Sequence, residues 1–221
     1  MKAIFFDLNG TLLDDYEYNI RAFQKVFERF GLHVPHARID ALLGKPTSTI
    51  LEQILKEHGI EADFGALAAE KVDTYVKMTA GKEVLFPGAR ETLTFLKGRV
   101  RLGLFTGVTR KQVDLLGDFL EFFELIVAGE EAIRPKPAPD TLLQMAGRMG
   151  LEPKDCAYVG DMPQDMTLAR NAGMAAIGIE NRMFSAEALR EGGATRVIET
   201  LGELKELVPD SSGGEEQGRK T

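Results

Sequence analysis

The sequence predicts an α/β protein: a Rossmann-like, doubly wound parallel sheet core carrying an inserted all-helical cap domain. Three observations predict it. Short apolar runs recur along the chain and alternate with helix-period segments. A long stretch after the first run contains no strand-like run at all. The runs end in polar residues, as expected where parallel strands deliver functional groups at their carboxyl ends.

The first run, Ala3-Ile4-Phe5-Phe6, stops at Asp7 and has the continuous apolar character of a strand enclosed on both faces. Similar runs follow at Val100 to Phe105, Leu125 to Val127, Cys156 to Val159 and Ala175 to Ile179. Helical patterns near 88–97, 109–120, 138–149 and 163–172 separate them. Within 15–84, Tyr16, Ile20, Phe23, Phe27 and Phe30 fall three or four apart, tracing one face of a helix. The spacing returns in Ile50, Leu51, Ile54 and Leu55, and in Leu67, Val72, Tyr75 and Val76. Gly31, Pro35, Gly44-Lys45-Pro46 and Gly59 punctuate these helices. The expected organisation is a core of 1–14 and 85–209, a helical cap of 15–84, and a mobile tail of 210–221 that has no apolar residue to bury.

Composition narrows the function. The 221 residues are 44% hydrophobic and 28% charged, an ordinary globular balance. The net charge is −7 and no Lys/Arg cluster is present, which argues against a nucleic-acid ligand. No apolar stretch is long enough to span a bilayer, and Asp7 comes too early for a signal peptide. A lone cysteine, Cys156, excludes an intrachain disulfide and reads as a buried small hydrophobe in an apolar run. His33, His36 and His58 are scattered and lack metal spacing. The expectation is a cytoplasmic protein without membrane partner, a monomer or weak homodimer by base rate.

The strand ends carry the chemistry. The first gives Asp7-Leu8-Asn9-Gly10-Thr11 and the second Thr106-Gly107. After the third comes Arg134-Pro135-Lys136-Pro137, and the fourth gives Gly160-Asp161, with Asp165 four residues on. Carboxylates supply hard oxygen ligands for a divalent cation, while a lysine and a hydroxyl suit a phosphoryl group. Singly, each has a plainer role: Asp7 and Thr11 in a turn, Lys136 in a loop, Asp165 as a helix cap. Jointly they point to phosphoryl chemistry.

These four segments resemble the motifs of the haloacid-dehalogenase-like hydrolases: D-x-D-x-T, a strand-end Ser/Thr, a Lys, and G-D-x-x-x-D. The resemblance covers roughly 1–14 and 85–200, and the insert resembles the α-helical cap of phosphoglycolate-phosphatase-like and β-phosphoglucomutase-like members. It implies a Mg²⁺-dependent phosphatase in which Asp7 forms an aspartyl-phosphate. It further implies metal ligands at Asp7, the backbone carbonyl of Asn9 and Asp161, with Asp165 ligating directly or holding a metal-bound water. Thr106 and the Gly107 amide would hold the phosphoryl oxygens, and Lys136 would offset charge. In such enzymes the cap closes on a small phosphorylated metabolite, and the turn at Gly44 and Lys45 is the candidate contact to its leaving group; the same turn reads equally well as an ordinary helix–helix connection with Ser or Thr capping the next helix. The intact acidic motif argues against dehalogenation, which uses no metal. Phosphoglycolate, sugar phosphates and nucleotides all stay open as substrates, and a sugar-phosphate mutase shares the same motifs.

Asn9 departs from the pattern. The family places a general acid/base aspartate there, and an amide neither gives nor takes a proton usefully near neutral pH. The backbone carbonyl survives, so metal and phosphate binding are expected to persist while turnover is impaired. Asn9 fits a natural variant with a lost or altered reaction, or a form inactivated to trap a ligand. It also fits an enzyme for good leaving groups, or a residue converted by deamidation at Asn9-Gly10. The active pattern around it favours an altered form of an otherwise ordinary phosphatase; a non-catalytic Mg²⁺/phosphate-binding protein is the alternative from another class.

Overall fold

The computed structural model describes residues 1–208; the expected tail over 210–221 lies outside them. The elements run β1 (Ala3–Phe6), α1 (Tyr16–Glu28), α2 (His36–Asp40), α3 (Thr47–Glu57), α4 (Phe64–Thr79), α5 (Ala89–Leu96) and β2 (Arg101–Phe105). Then come α6 (Arg110–Val113), β3 (Leu125–Val127), α7 (Asp140–Arg148), β4 (Cys156–Gly160), α8 (Pro163–Asn171), β5 (Ala175–Ile179), α9 (Ala186–Gly192) and β6 (Arg196–Ile198).

The six strands form one parallel sheet in the order β3-β2-β1-β4-β5-β6, the doubly wound arrangement the sequence predicts. Its order reverses at β1, which pairs with β2 on one side and β4 on the other. Phe6 is level with both Leu104 and Val159, so the carboxyl ends of these three strands open on the same edge. That edge, at a topological switch point, is where such sheets gather function. All of β1 is buried, as its unbroken apolar run requires. One face packs Phe5 and Tyr158 against Leu142 and Met145 of α7, Leu168 of α8 and Leu189 of α9.

Two compact units are present. The first comprises Met1–Leu13, Leu85–Val108 and the chain from Gly117; the second comprises Asp14–Val84 with Thr109–Leu116. The chain leaves the first unit at Leu13 and returns at Leu85, and these two residues bridge antiparallel beside the Phe86 N–H bond to Leu12 O at 2.9 Å. The second unit packs Ile20, Phe23 and Phe27 of α1 against Ile50, Leu51, Ile54 and Leu55 of α3 and Leu67 of α4. Asp63 caps α4 by accepting from the Ala66 N–H at 3.0 Å.

Three features depart from expectation. The helix expected over 109–120 is only α6, followed by a 3₁₀ segment, Asp114–Phe122, broken at Gly117 (φ 50°, ψ −120°). Glycine permits that backbone, so apolar spacing alone overestimates the helix. β6 escaped notice because it is a three-residue edge strand beginning with an exposed arginine. α9 escaped because Leu189 is its one buried residue, too few to set a period.

Lys71 of α4 is 3% exposed although it sits in a polar-looking stretch. Its ammonium donates to Asn19 Oδ1 and lies 4.7 Å and 5.4 Å from the ring centroids of Phe23 and Tyr75. Tyr75 in turn donates to Asp15 Oδ2 at 2.5 Å. Burial pushes the Lys71 ammonium down to about 8, against the pull of Asp15. Above that pH the folded chain gives up a proton that the unfolded chain keeps until near 10.5, so stability rises with pH across the window. Urea unfolding at pH 7.5 and 9.5 is expected to show a gain of about 2 kcal/mol that Lys71→Met lacks. Equal gains in the two proteins would exclude Lys71 as its source.

Candidate active site

Asp7 follows β1 directly, and its N–H still donates to Val159 O at 2.8 Å, so the sheet ladder fixes its backbone. The chain then turns sharply: Leu8 O accepts from Leu12 N and Leu13 N at 2.8 and 2.9 Å. Asn9 and Gly10 lie on this turn, which leaves Asn9 half-buried two residues beyond Asp7. Thr11, fully buried, does not spend its hydroxyl on the turn; it donates to Asp161 Oδ1 at 3.0 Å.

Lys136 reaches into the same place from the loop after β3. Its ammonium donates to Asp7 Oδ1 at 2.7 Å and to Asp165 Oδ1 at 2.9 Å. The rings of Tyr158 and Phe105 lie 5.1 and 5.4 Å from it. Gln164 Nε2 donates to Lys136 O at 2.6 Å and Asn171 Nδ2 to Pro137 O at 3.2 Å, tying the loop to α8. The lysine is therefore held at both its backbone and its ammonium.

Asp165 performs two tasks at once. It stands at the third position of α8, where Oδ2 accepts from the Met162 N–H at 3.2 Å, while Oδ1 takes Lys136. It therefore caps the helix with one oxygen and pairs with Lys136 through the other. Gly160 makes room for it, since a Cβ there would fall 2.5 Å from Asp165 Cβ.

Asp7, Asp161 and Asp165 are all buried, and each offers an oxygen within 4.8 Å of the others. Burial pushes the Asp7 carboxyl up; Lys136 pulls it down and Asp165 pushes it up further. Burial also raises Asp161 well above the usual carboxylate range, followed by Asp165 and Asp7, with Asn181 and Thr11 opposing. For Lys136, burial works downward but Asp165 and Asp7 outweigh it and hold the ammonium well above its usual range. Three carboxylates thus face one ammonium, an excess of negative charge built wholly from hard oxygen donors. That donor set and that charge fit a divalent cation such as Mg²⁺.

The structure brings together Asp7, Lys136, Asp161 and Asp165, which the sequence places far apart. Thr106 is buried one residue beyond β2, and its Oγ1 accepts from its own turn, from Val108 N–H at 3.4 Å. Gly107 is exposed, and a Cβ there would meet nothing within 4 Å. Gly44 and Lys45 belong to the helical unit; Gly44 has φ 94°, and Lys45 donates to Gln53 Oε1 of α3 at 3.2 Å. Asn181 went unnoticed. It lies two residues past β5 and donates to Asp161 Oδ2 at 2.7 Å. Its signal in the sequence is its place just beyond the fifth apolar run, the position that the other candidate groups hold after the first four.

Residues 4–179 match the family profile described as haloacid dehalogenase-like hydrolase. The chain is 30% identical to the fructose-1-phosphate phosphatase YqaB of Escherichia coli, over 80% of this chain and 95% of that one. It is also 30% identical to a phosphoglycolate phosphatase of Chromobacterium violaceum, over 94% and 96% of the two chains. Among solved structures, CbbY from Rhodobacter sphaeroides in complex with phosphate has the same fold, with TM-score 0.78 and 24% identity over 92% and 96% of the chains.

Proposed function

This chain belongs to the haloacid dehalogenase-like hydrolase family, and from that premise we propose that it is a Mg²⁺-dependent phosphomonoesterase acting on small phosphorylated metabolites. The observation that carries the reading is the Lys136 ammonium set between Asp7 and Asp165, with Asp161 in the same oxygen cluster. Asp7 attacks phosphorus in line: its oxygen forms the new P–O bond as the bond to the ester oxygen breaks, and the departing oxygen takes its proton from solvent because Asn9 has none to give. Water then displaces the carboxylate from phosphorus, releasing phosphate and restoring Asp7. Lys136 offsets negative charge around Asp7, and the Thr106 hydroxyl and Gly107 amide donate to the phosphoryl oxygens. Asp7, Asp161, Asp165 and the Asn9 carbonyl would hold Mg²⁺, which when bound neutralises phosphoryl charge so that an anionic nucleophile can approach.

The named activities of the two relatives, on fructose 1-phosphate and phosphoglycolate, make small organic monoesters the first substrates to try. A second reading rests on Asn9: a site that binds phosphate esters and turns them over poorly. Among the described residues no helix is long and apolar enough to cross a membrane.

Phosphate release from p-nitrophenyl phosphate, fructose 1-phosphate and phosphoglycolate is expected in the presence of Mg²⁺. EDTA should abolish it and excess Mg²⁺ restore it. Full activity after chelation contradicts the metal assignment. Absence of release from every ester, in this chain and in Asn9→Asp alike, contradicts the phosphatase reading.

A further inference from the structure

We propose that Asn181 is a positioning residue that fixes the Asp161 carboxylate for cation binding, an inference that rests on the metal reading above. Its amide has one possible orientation. Oδ1 accepts from the Met183 N–H at 2.8 Å and the Phe184 N–H at 3.2 Å, both donors. The NH₂ edge must therefore face the acceptors opposite, and it donates to Asp161 Oδ2 at 2.7 Å and to Gly10 O at 3.2 Å. One side chain thus joins the loop after β5, the acidic residue after β4 and the turn after β1.

The Asp161 carboxylate is enclosed on three sides. Thr11 holds Oδ1, Asn181 holds Oδ2, and the Gly10 backbone lies against it, since a Cβ at Gly10 would fall 2.2 Å from Oδ2. Gly10 also has φ +75°, a conformation other residues rarely adopt, so this wall cannot be thickened. Each carboxylate oxygen has a second lone pair beyond the one its donor uses. The two donors therefore set the plane of the carboxylate without exhausting its capacity to bind a cation. Hydrogen bonds of this kind to a ligating carboxylate commonly change metal affinity about 10–100-fold when removed.

The test is Mg²⁺ titration of the full chain by calorimetry, together with a thermal melt of each protein in EDTA. Asn181→Ala removes both the donor and the loop contacts. Asn181→Ser keeps a short oxygen able to accept from Met183 and Phe184 N–H, but cannot reach Asp161. Both are expected to weaken Mg²⁺ about 10–100-fold, with Asn181→Ser melting close to the parent. Should Asn181→Ala fold poorly, Asn181→Ser decides alone. If the parent binds Mg²⁺ and the folded variants bind it equally well, the positioning role is overturned while the metal reading stands. If the parent itself shows no Mg²⁺ binding, the metal reading falls and takes this inference with it.

Discussion

Asp7→Asn is expected to lower phosphate release by about 10⁴-fold or more while leaving the metal-free protein at least as stable as its parent. The two halves of this result have separate causes. An amide of nearly the same shape cannot attack phosphorus, so the covalent route closes. In the absence of a cation, however, the Asp7 carboxyl is pushed up by burial and by Asp165, which means its charge is costly where it stands. Removing that charge relieves repulsion within the cluster, and Lys136 retains Asp165 as its partner at 2.9 Å. Replacing one member of a buried ionic group need not weaken a fold when the remaining charges stay paired. Single-turnover hydrolysis in the Asn9→Asp background, with melts in EDTA, reads both halves. Activity within about tenfold of the parent would remove Asp7 as nucleophile. Loss of activity accompanied by collapse of the melt would mean instead that Asp7 is chiefly structural.

The same charges explain what the sequence made legible and what it hid. Strands β1, β2, β4 and β5 were readable because enclosure on both faces demands continuous apolar runs, and such runs look like little else at that length. The candidate site was legible as a place because parallel strands all present their carboxyl ends to one edge; Lys136 and Asp7, 129 positions apart, meet there for that reason. Residues whose role depends on a partner's orientation were not readable. Asn181 looks like any loop asparagine until Asp161 is placed beside it. Lys71 hid within a helix-period pattern as a surface lysine, because periodicity records which faces are apolar and not which polar residues are buried with them. Thr11 looked like a turn residue although its hydroxyl serves a carboxylate 150 positions away.

Asn9→Asp is expected to raise turnover of poor-leaving-group esters such as fructose 1-phosphate about 10²–10⁴-fold, and that of p-nitrophenyl phosphate far less. Position 9 lies two residues past Asp7 on a turn fixed by hydrogen bonds to Leu8 O and by the Gly10 N–H bond to Leu13 O at 2.9 Å. The substitution therefore changes chemistry at a held position more than it changes shape. An alkoxide leaving group must acquire a proton as its bond to phosphorus breaks, and a carboxylic acid can give one where an amide cannot. Nitrophenolate departs without that help, so the ratio between the two substrates isolates the proton step from binding and metal effects. Turnover of the alkyl ester should fall as pH rises and the new carboxyl loses the proton it donates, a limb absent from the asparagine form. Equal acceleration of both esters would place the benefit outside proton transfer. No acceleration of either, with phosphate esters still bound, would favour the binding protein over the enzyme.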